Sequence, residues 1–489
     1  MDGGIGVVCK RRSFLRALVS LLCLSTLIIA SAAPALDAQG QPDTLDTDEL
    51  LESMGIHPYP ETDELRESKF PEDWLQVEPL LAEDVNESFS NFDDLAWLEE
   101  IARENKVFLL GENHYYQTIQ NLRNRILFAL NTFDSYHLLV IEHQYSISGY
   151  LDYYIGITDD REAEDFYKNV IYDLVGTKEM FTLLEHLRRW NSLNPDRRIH
   201  IGANDVEHDY INTLARVVIP YFQSMDSSFT VDFERITTLD LEVLLEDLET
   251  RLKKARDENL VGEYIFLTPQ YIERVLENLK SLFMCHRYDF MYYRQRAMIR
   301  NLTNPRFFGR YLRNGKVMIH AGGYPTPTHF PYPDGGNFYR EGSYLSFDFE
   351  ATKGKTYSLF INGLAYQIGP MSQVDLDSCL HHGSGYNQIV KKFQSAYKQK
   401  LVSPDSFYLF NWKMDEFDNL VFTAAYRHDH SPMLVKYLDW ESIIETASGI
   451  SRGQYNAVRT IKDSYYDRYD AVIIVPRSPI TRVKRKINL

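Results

Sequence analysis

The stretch "VFLLGENHYYQTIQNLRNRILFAL" (Val107–Leu130) decides how the rest of the chain is read. Four apolar residues run into Gly111, Glu112, Asn113 and His114, and a helical pattern follows at once. A short apolar run that ends in polar residues before a helix is the pattern of a buried strand in an α/β sheet. In such sheets ligands gather beyond the carboxyl ends of the strands. Gly111 permits a sharp departure from the strand, and the N-terminal end of the helix offers partial positive charge to an anionic group. In the helix, Ile119, Leu122, Ile126, Leu127 and Leu130 share one face, which leaves the other to Gln117, Arg123 and Asn124.

The alternation continues outward from this stretch. Apolar runs at 106–110, 138–141, 199–201, 317–319, 357–361 and 471–475 are separated by helical segments or longer insertions. The expected architecture is α/β: a mostly parallel sheet flanked by helices on both faces, with a helical insertion at about 211–315 between the third and fourth strands. Two further stretches, "SFYLFNW" and "NLVFTAAYR", read as edge strands. Nothing repeats at a fixed period.

The polar exits of the runs carry the chemistry. The first ends in Glu112-Asn113-His114, the second in Glu142-His143, the third in Asn204-Asp205 and the fourth in His320. If the strands are parallel neighbours, these exits form one site. An imidazole beside carboxylates can move a proton near neutral pH. The same residues, His114, Glu112, Glu142 and His320, are also ordinary ligands for a divalent zinc, manganese or iron ion that would activate water. His143 points away from Glu142 if the strand continues and reads as structural. Asp205 reads equally as a site acid or as a cap. Tyr115 and Tyr116 read as pocket lining. No HExxH, phosphate loop or GxSxG elbow offers another mechanism.

Composition sets the outer bounds. With 44% hydrophobic and 13% aromatic residues in 489, the chain can bury a large core. A formal charge of -17 and no basic stripe in the body argue against nucleic acid as a partner. The remaining partners are a small-molecule or peptide substrate. Residues 1–32 read as an export signal, with a basic start, an apolar stretch too short for a stable span, and small residues around Ala30-Ser31-Ala32. Arg11-Arg12-Ser13-Phe14-Leu15-Arg16 resembles a twin-arginine motif, the alternative being an ordinary secretory signal. The mature protein is then expected in the periplasm or outside the cell, without a membrane span. Residues 33–89 form an acidic, proline-containing extension partly wrapped on the body, 90–480 the α/β domain, and 481–489 a basic tail. Cys285 and Cys379 fall in the mature chain; their pairing is left open.

Several stretches stand in the order of known signposts. "FLLGENHYY", "LLVIEHQ", "RRWN" followed by "IHIGAND", "YYRQRAMIRNL" and "GKVMIHAGGYPTPTH" resemble the erythromycin esterase-like and ChaN-like superfamily, which also resembles the Tiki-type metalloproteases. The resemblance runs from about Leu95 to Val475. It implies that His114 is a general base or metal ligand, Glu112 its paired carboxylate, Glu142 the acid of the second strand, Arg123 the basic residue of the motif helix, and His320 or His329 the late histidine. Erythromycin esterases place two residues between the opening Glu and His and then Gly. Here Asn113 alone intervenes and Tyr115 follows, which is closer to the ChaN and Tiki branches, one haem-binding and one proteolytic. The expected function is an exported hydrolase of esters or amides, with or without a metal. The alternatives are a haem- or metal-complex-binding protein with Tyr and His as axial ligands, or an inactive scaffold in envelope interactions.

Overall fold

A computed structural model describes residues 47–61, 70–231 apart from 115 and 176, 238–328 apart from 324, 340–367 and, with interruptions, 391–480. The export signal, His329, Tyr115, Cys379 and the basic tail lie outside the described residues. By internal contacts the chain divides into residues 1–50 and 51–489; the fold that follows belongs to the second unit.

Ten described strands make one sheet: β1 (Ile56–Pro58), β2 (Leu75–Pro79), β3 (Val107–Glu112), β4 (Tyr136–Gln144), β5 (His200–Asp205), β6 (Lys316–Gly322), β7 (Thr356–Gln367), β8 (Phe407–Phe410), β9 (Met433–Leu438) and β10 (Ala471–Pro479). Their main order is β2-β9-β10-β7-β3-β6-β4-β5. The six from β10 to β5 run parallel to their neighbours, and these are the six apolar runs of the sequence. Their runs are nearly continuous because a parallel strand is buried on both faces: Val107 through Glu112 are buried without interruption. The antiparallel strands sit outside this set. β9 and β2 extend the sheet beyond β10, and β8 pairs with the far end of β7 and with β1.

Two expectations change. The 33–89 extension contributes β1 and β2 to the sheet rather than only wrapping it. "SFYLFNW" does contain strand β8, but "NLVFTAAYR" lies in the helix Glu416–Arg427. Among its described side chains Leu420, Val421, Phe422 and Ala425 are buried, and an apolar run of that length does not separate strand from helix by itself.

The motif helix, Gln117–Asp134, is buried from Thr118 to Asn131 apart from the half-buried Asn121. Arg123, read as lying off the apolar stripe, is fully buried, and so is Arg125. Residues 81–94 lie over that side: Arg125 donates to the carbonyls of Leu81 (2.9 Å) and Asn91 (3.2 Å) and pairs with Asp94. Asn124 donates to both carboxylate oxygens of Asp84 at 3.0 Å. Acids of the preceding segment thus supply the partners that buried guanidinium and amide groups require.

The insertion between β5 and β6 is helical as expected, with Thr238–Asp257, Pro269–Arg287 and Phe290–Thr303 its long members. Asp289 caps the last by accepting from the Tyr292 N–H at 2.9 Å. Its inward side carries Arg294, Ala297, Met298, Asn301 and Leu302, the spacing of one helix face. Arg294 therefore stands at the head of a buried stripe, which aims a cation at the strand ends.

Candidate functional site

The register fixes which exits meet. Strands β3, β6, β4 and β5 are consecutive neighbours, with Glu112 level with Gly322, and His320 level with Leu110 on one side and Ile141 on the other. His320 is therefore inside β6, which continues to Gly322. Gly111 is also inside its strand. A Cβ there would collide with Thr326 Oγ1 and touch Tyr469, so the glycine serves close packing rather than a turn.

Glu112 is buried and gathers three partners. Its Oε1 faces His114 Nδ1 at 3.0 Å, and its Oε2 accepts from Gln120 Nε2 at 2.8 Å and lies 2.9 Å from His320 Nε2. The His320 contact lacks hydrogen-bond alignment, so we read it as an electrostatic approach. Burial alone would raise the Glu112 carboxyl, but the two imidazoles hold it well below the usual carboxylate range. An ionised Glu112 only accepts, so His114 Nδ1 must donate to it and the ring's basic position is Nε2. His114 feels burial against its charge, yet Glu112 and then Glu142 raise it to about 9. The His114 side chain is 48% exposed, so solvent screens those carboxylates and draws the value back toward the ordinary one. His320 is buried, and desolvation lowers it in spite of Glu112. Their surroundings thus push the two imidazoles in opposite directions.

Asn113 sets the short spacing between Glu112 and His114. Its N–H donates to the Ile361 carbonyl at 3.2 Å and its side-chain amide to Asn362 Oδ1 at 2.6 Å, which pins the exit of β3 to β7. Tyr116 is stacked on Tyr366 with ring centroids 4.0 Å apart, packed where Gly363 leaves room. The N-terminus of the motif helix is partly taken: the Thr118 N–H donates to Ser478 Oγ at 2.9 Å.

Glu142 belongs to a second cluster. Its Oε1 accepts from Arg294 Nη2 and its Oε2 from the Gly322 N–H. Arg294 also holds Asp205, with Nε at 2.9 Å from Oδ1 and Nη2 at 2.6 Å from Oδ2. His208 Nε2 adds a contact to Asp205 Oδ2 at 2.9 Å. Burial would raise Asp205, but His208 and Arg294 outweigh it and lower the carboxyl to about 2. Gly322 joins the two clusters: a Cβ there would stand 2.9 Å from His114 Nε2 and 3.2 Å from Glu142 Oε2, so both atoms border the same point.

The structure thus brings together Glu112, His114, Glu142, His320 and Asp205. Arg123 does not reach the carboxylates directly. It donates to Gln120 Oε1, and Gln120 donates to Glu112, so the guanidinium acts through an amide. Burial lowers Arg123 to about 10, with Glu112 and Asp84 opposing. His143 accepts from the Gln144 N–H at 2.9 Å. Sequence reasoning did not single out Arg294 or His208. The available signal was "YYRQRAMIRNL", whose first arginine is Arg294. Among the described residues no group of three or more His, Cys, Asp and Glu side chains is placed to hold a metal. The oxygens of Glu112 and Glu142 are engaged by donors, and the Arg294 guanidinium repels a cation at the latter. No described helix is long and apolar enough to cross a membrane.

No protein-family model matches the chain, and comparison with curated protein sequences finds no match. Among solved structures the chain is similar to a succinoglycan biosynthesis protein, at 14% identity over 84% of this chain and 98% of that one, with a TM-score of 0.49. It is similar to a mutant erythromycin esterase, EreC, in its open conformation, at 13% identity over 83% and 99% of the two chains, TM-score 0.46. It is also similar to ChaN of Campylobacter jejuni, described with cofacially bound heme, at 15% identity over 55% and 86%, TM-score 0.24.

Proposed function

We propose that this chain is an exported hydrolase in which His114 activates water toward an ester or amide carbonyl, without a metal at the four residues named above. The observation that carries the reading is the Glu112–His114 pair at 3.0 Å, a buried carboxylate orienting a half-exposed imidazole. In its neutral form His114 keeps its proton on Nδ1 against Glu112 and takes a water proton on Nε2. The hydroxide equivalent attacks the carbonyl carbon, the carbonyl electrons move onto oxygen, and collapse expels the alcohol or amine, which takes the Nε2 proton as it leaves. Glu142, held by Arg294 and the Gly322 N–H, faces the same point and stabilises the imidazolium formed midway.

The raised pKa has a kinetic consequence. Because Glu112 and Glu142 favour the imidazolium, the neutral, base-competent fraction of His114 grows as pH rises through its raised pKa. The test is turnover of short-chain p-nitrophenyl esters and of a peptide panel by the mature protein and by His114→Ala. We expect a loss of about 10²–10⁴-fold in a variant that still unfolds cooperatively. Full turnover in the variant would sink the assignment, and a haem absorption band in the protein as purified would favour a binding protein.

A further inference from the structure

One buried acid beside the site takes no proton from water or substrate in the hydrolysis. Glu341 opens the short helix Glu341–Phe347 and has no solvent exposure. Its Oε1 accepts from Asn204 Nδ2, and its backbone N–H donates to Gln295 Oε1 at 3.3 Å. Among the described residues, Glu341 Oε2 and Asn204 Oδ1 have no hydrogen-bond partner. The charged groups that act on it are Glu142 from β4, Asp205 from β5 and Arg294 from the insertion. Two carboxylates already share that guanidinium. A third ionised acid would place an uncompensated charge in a space that offers its Oε2 no donor.

We infer that Glu341 is a positioning residue: with its proton it leaves Arg294 bridging Glu142 and Asp205, and without it it draws the guanidinium away and loosens Glu142 from His114. Burial first, and then the repulsion of Glu142 and Asp205, push the Glu341 carboxyl up to about 8, with Arg294 and Asn204 opposing. Because the folded value lies above the unfolded one of 4.5, this group's contribution to stability declines as pH rises from about 4.5 to about 8 and is level beyond.

The role in hydrolysis rests on the reading above, but the proton and its influence on His114 can be measured without turnover. Infrared spectra of the whole protein and of Glu341→Gln at pH 6 and pH 10 report protonated carboxyls. Glu207, raised to about 7 by burial, contributes a band common to both proteins, and the difference isolates Glu341. We expect a protonated-carboxyl band in the wild type at pH 6 that the variant lacks and that pH 10 removes. Histidine NMR, with His114 assigned from His114→Ala, should then show a second inflection near pH 8 in the wild type and one inflection in Glu341→Gln. Melting at pH 6 checks that the isosteric variant folds, and the wild-type melting temperature should fall between pH 5 and 8. Identical carboxyl spectra at pH 6 would show Glu341 already ionised and overturn the inference. A carboxyl difference with identical His114 titrations would overturn the positioning role. If p-nitrophenyl acetate is turned over, the ratio of wild-type to variant rate should be level at pH 6 and fall as pH rises through about 8, and a ratio level throughout would overturn the positioning role. Absence of turnover in both would count against the hydrolase reading alone.

Discussion

Glu112 and Asp205 are both buried carboxylates near the ends of parallel strands in one sheet, yet they are neutralised differently. Glu112 is flanked by His114 and His320, whereas Asp205 is held by the Arg294 fork with His208 beside it. An imidazole changes charge near neutrality and a guanidinium does not. The first arrangement can exchange protons during a reaction. The second is a fixed brace that keeps Glu142 beside the first. Gly322 is the shared border between them.

The brace should be the harder half to break. Replacing Arg294 with Met leaves Glu142 and Asp205 buried without their cation, and we expect about 3–5 kcal/mol of lost stability by urea unfolding. A loss below about 1 kcal/mol would mean that the two carboxylates find other partners. The border comes next. Gly322→Ala puts a methyl against His114 Nε2 and Glu142, displacing the ring from water by tenths of an ångström or more. We expect about a 100-fold fall in kcat, with a small change in melting temperature because the exposed side of the His114 ring can yield. The smallest effect sharpens the proton-carrying half. Glu112→Gln removes the charge that holds His114 up, so the rising limb of the rate against pH should move toward acid by about 1–3 units. An unmoved limb would assign that limb to another group.

The contrast also explains what the sequence allowed. The six parallel strands were legible because burial on both faces leaves unbroken apolar runs, and the Glu112–His114 pair was legible because two residues of spacing place both groups at one strand exit. The brace spans Glu142, Asp205 and Arg294, from two strands and a distant helix, and no local spacing announces such a meeting. Arg123 was expected off the apolar stripe and is buried, together with Arg125, for a related reason. A polar residue off the apolar stripe normally faces water, but residues 81–94 cover that side and bring Asp84 and Asp94 with them. β1 and β2 were illegible because three and five residues with terminal prolines carry too little pattern to reveal a strand.

Those two strands constrain the order in which the molecule can be assembled. Ile56 pairs with Phe410 and Leu75 with Leu438, so each early strand must wait for a partner that lies several hundred residues later. Closing such long loops is entropically slow. During translation the central strands can gather while β1 and β2 remain exposed as unpaired edges, the condition in which chains associate with one another. Arrival of those partners closes both edges and ends that exposure.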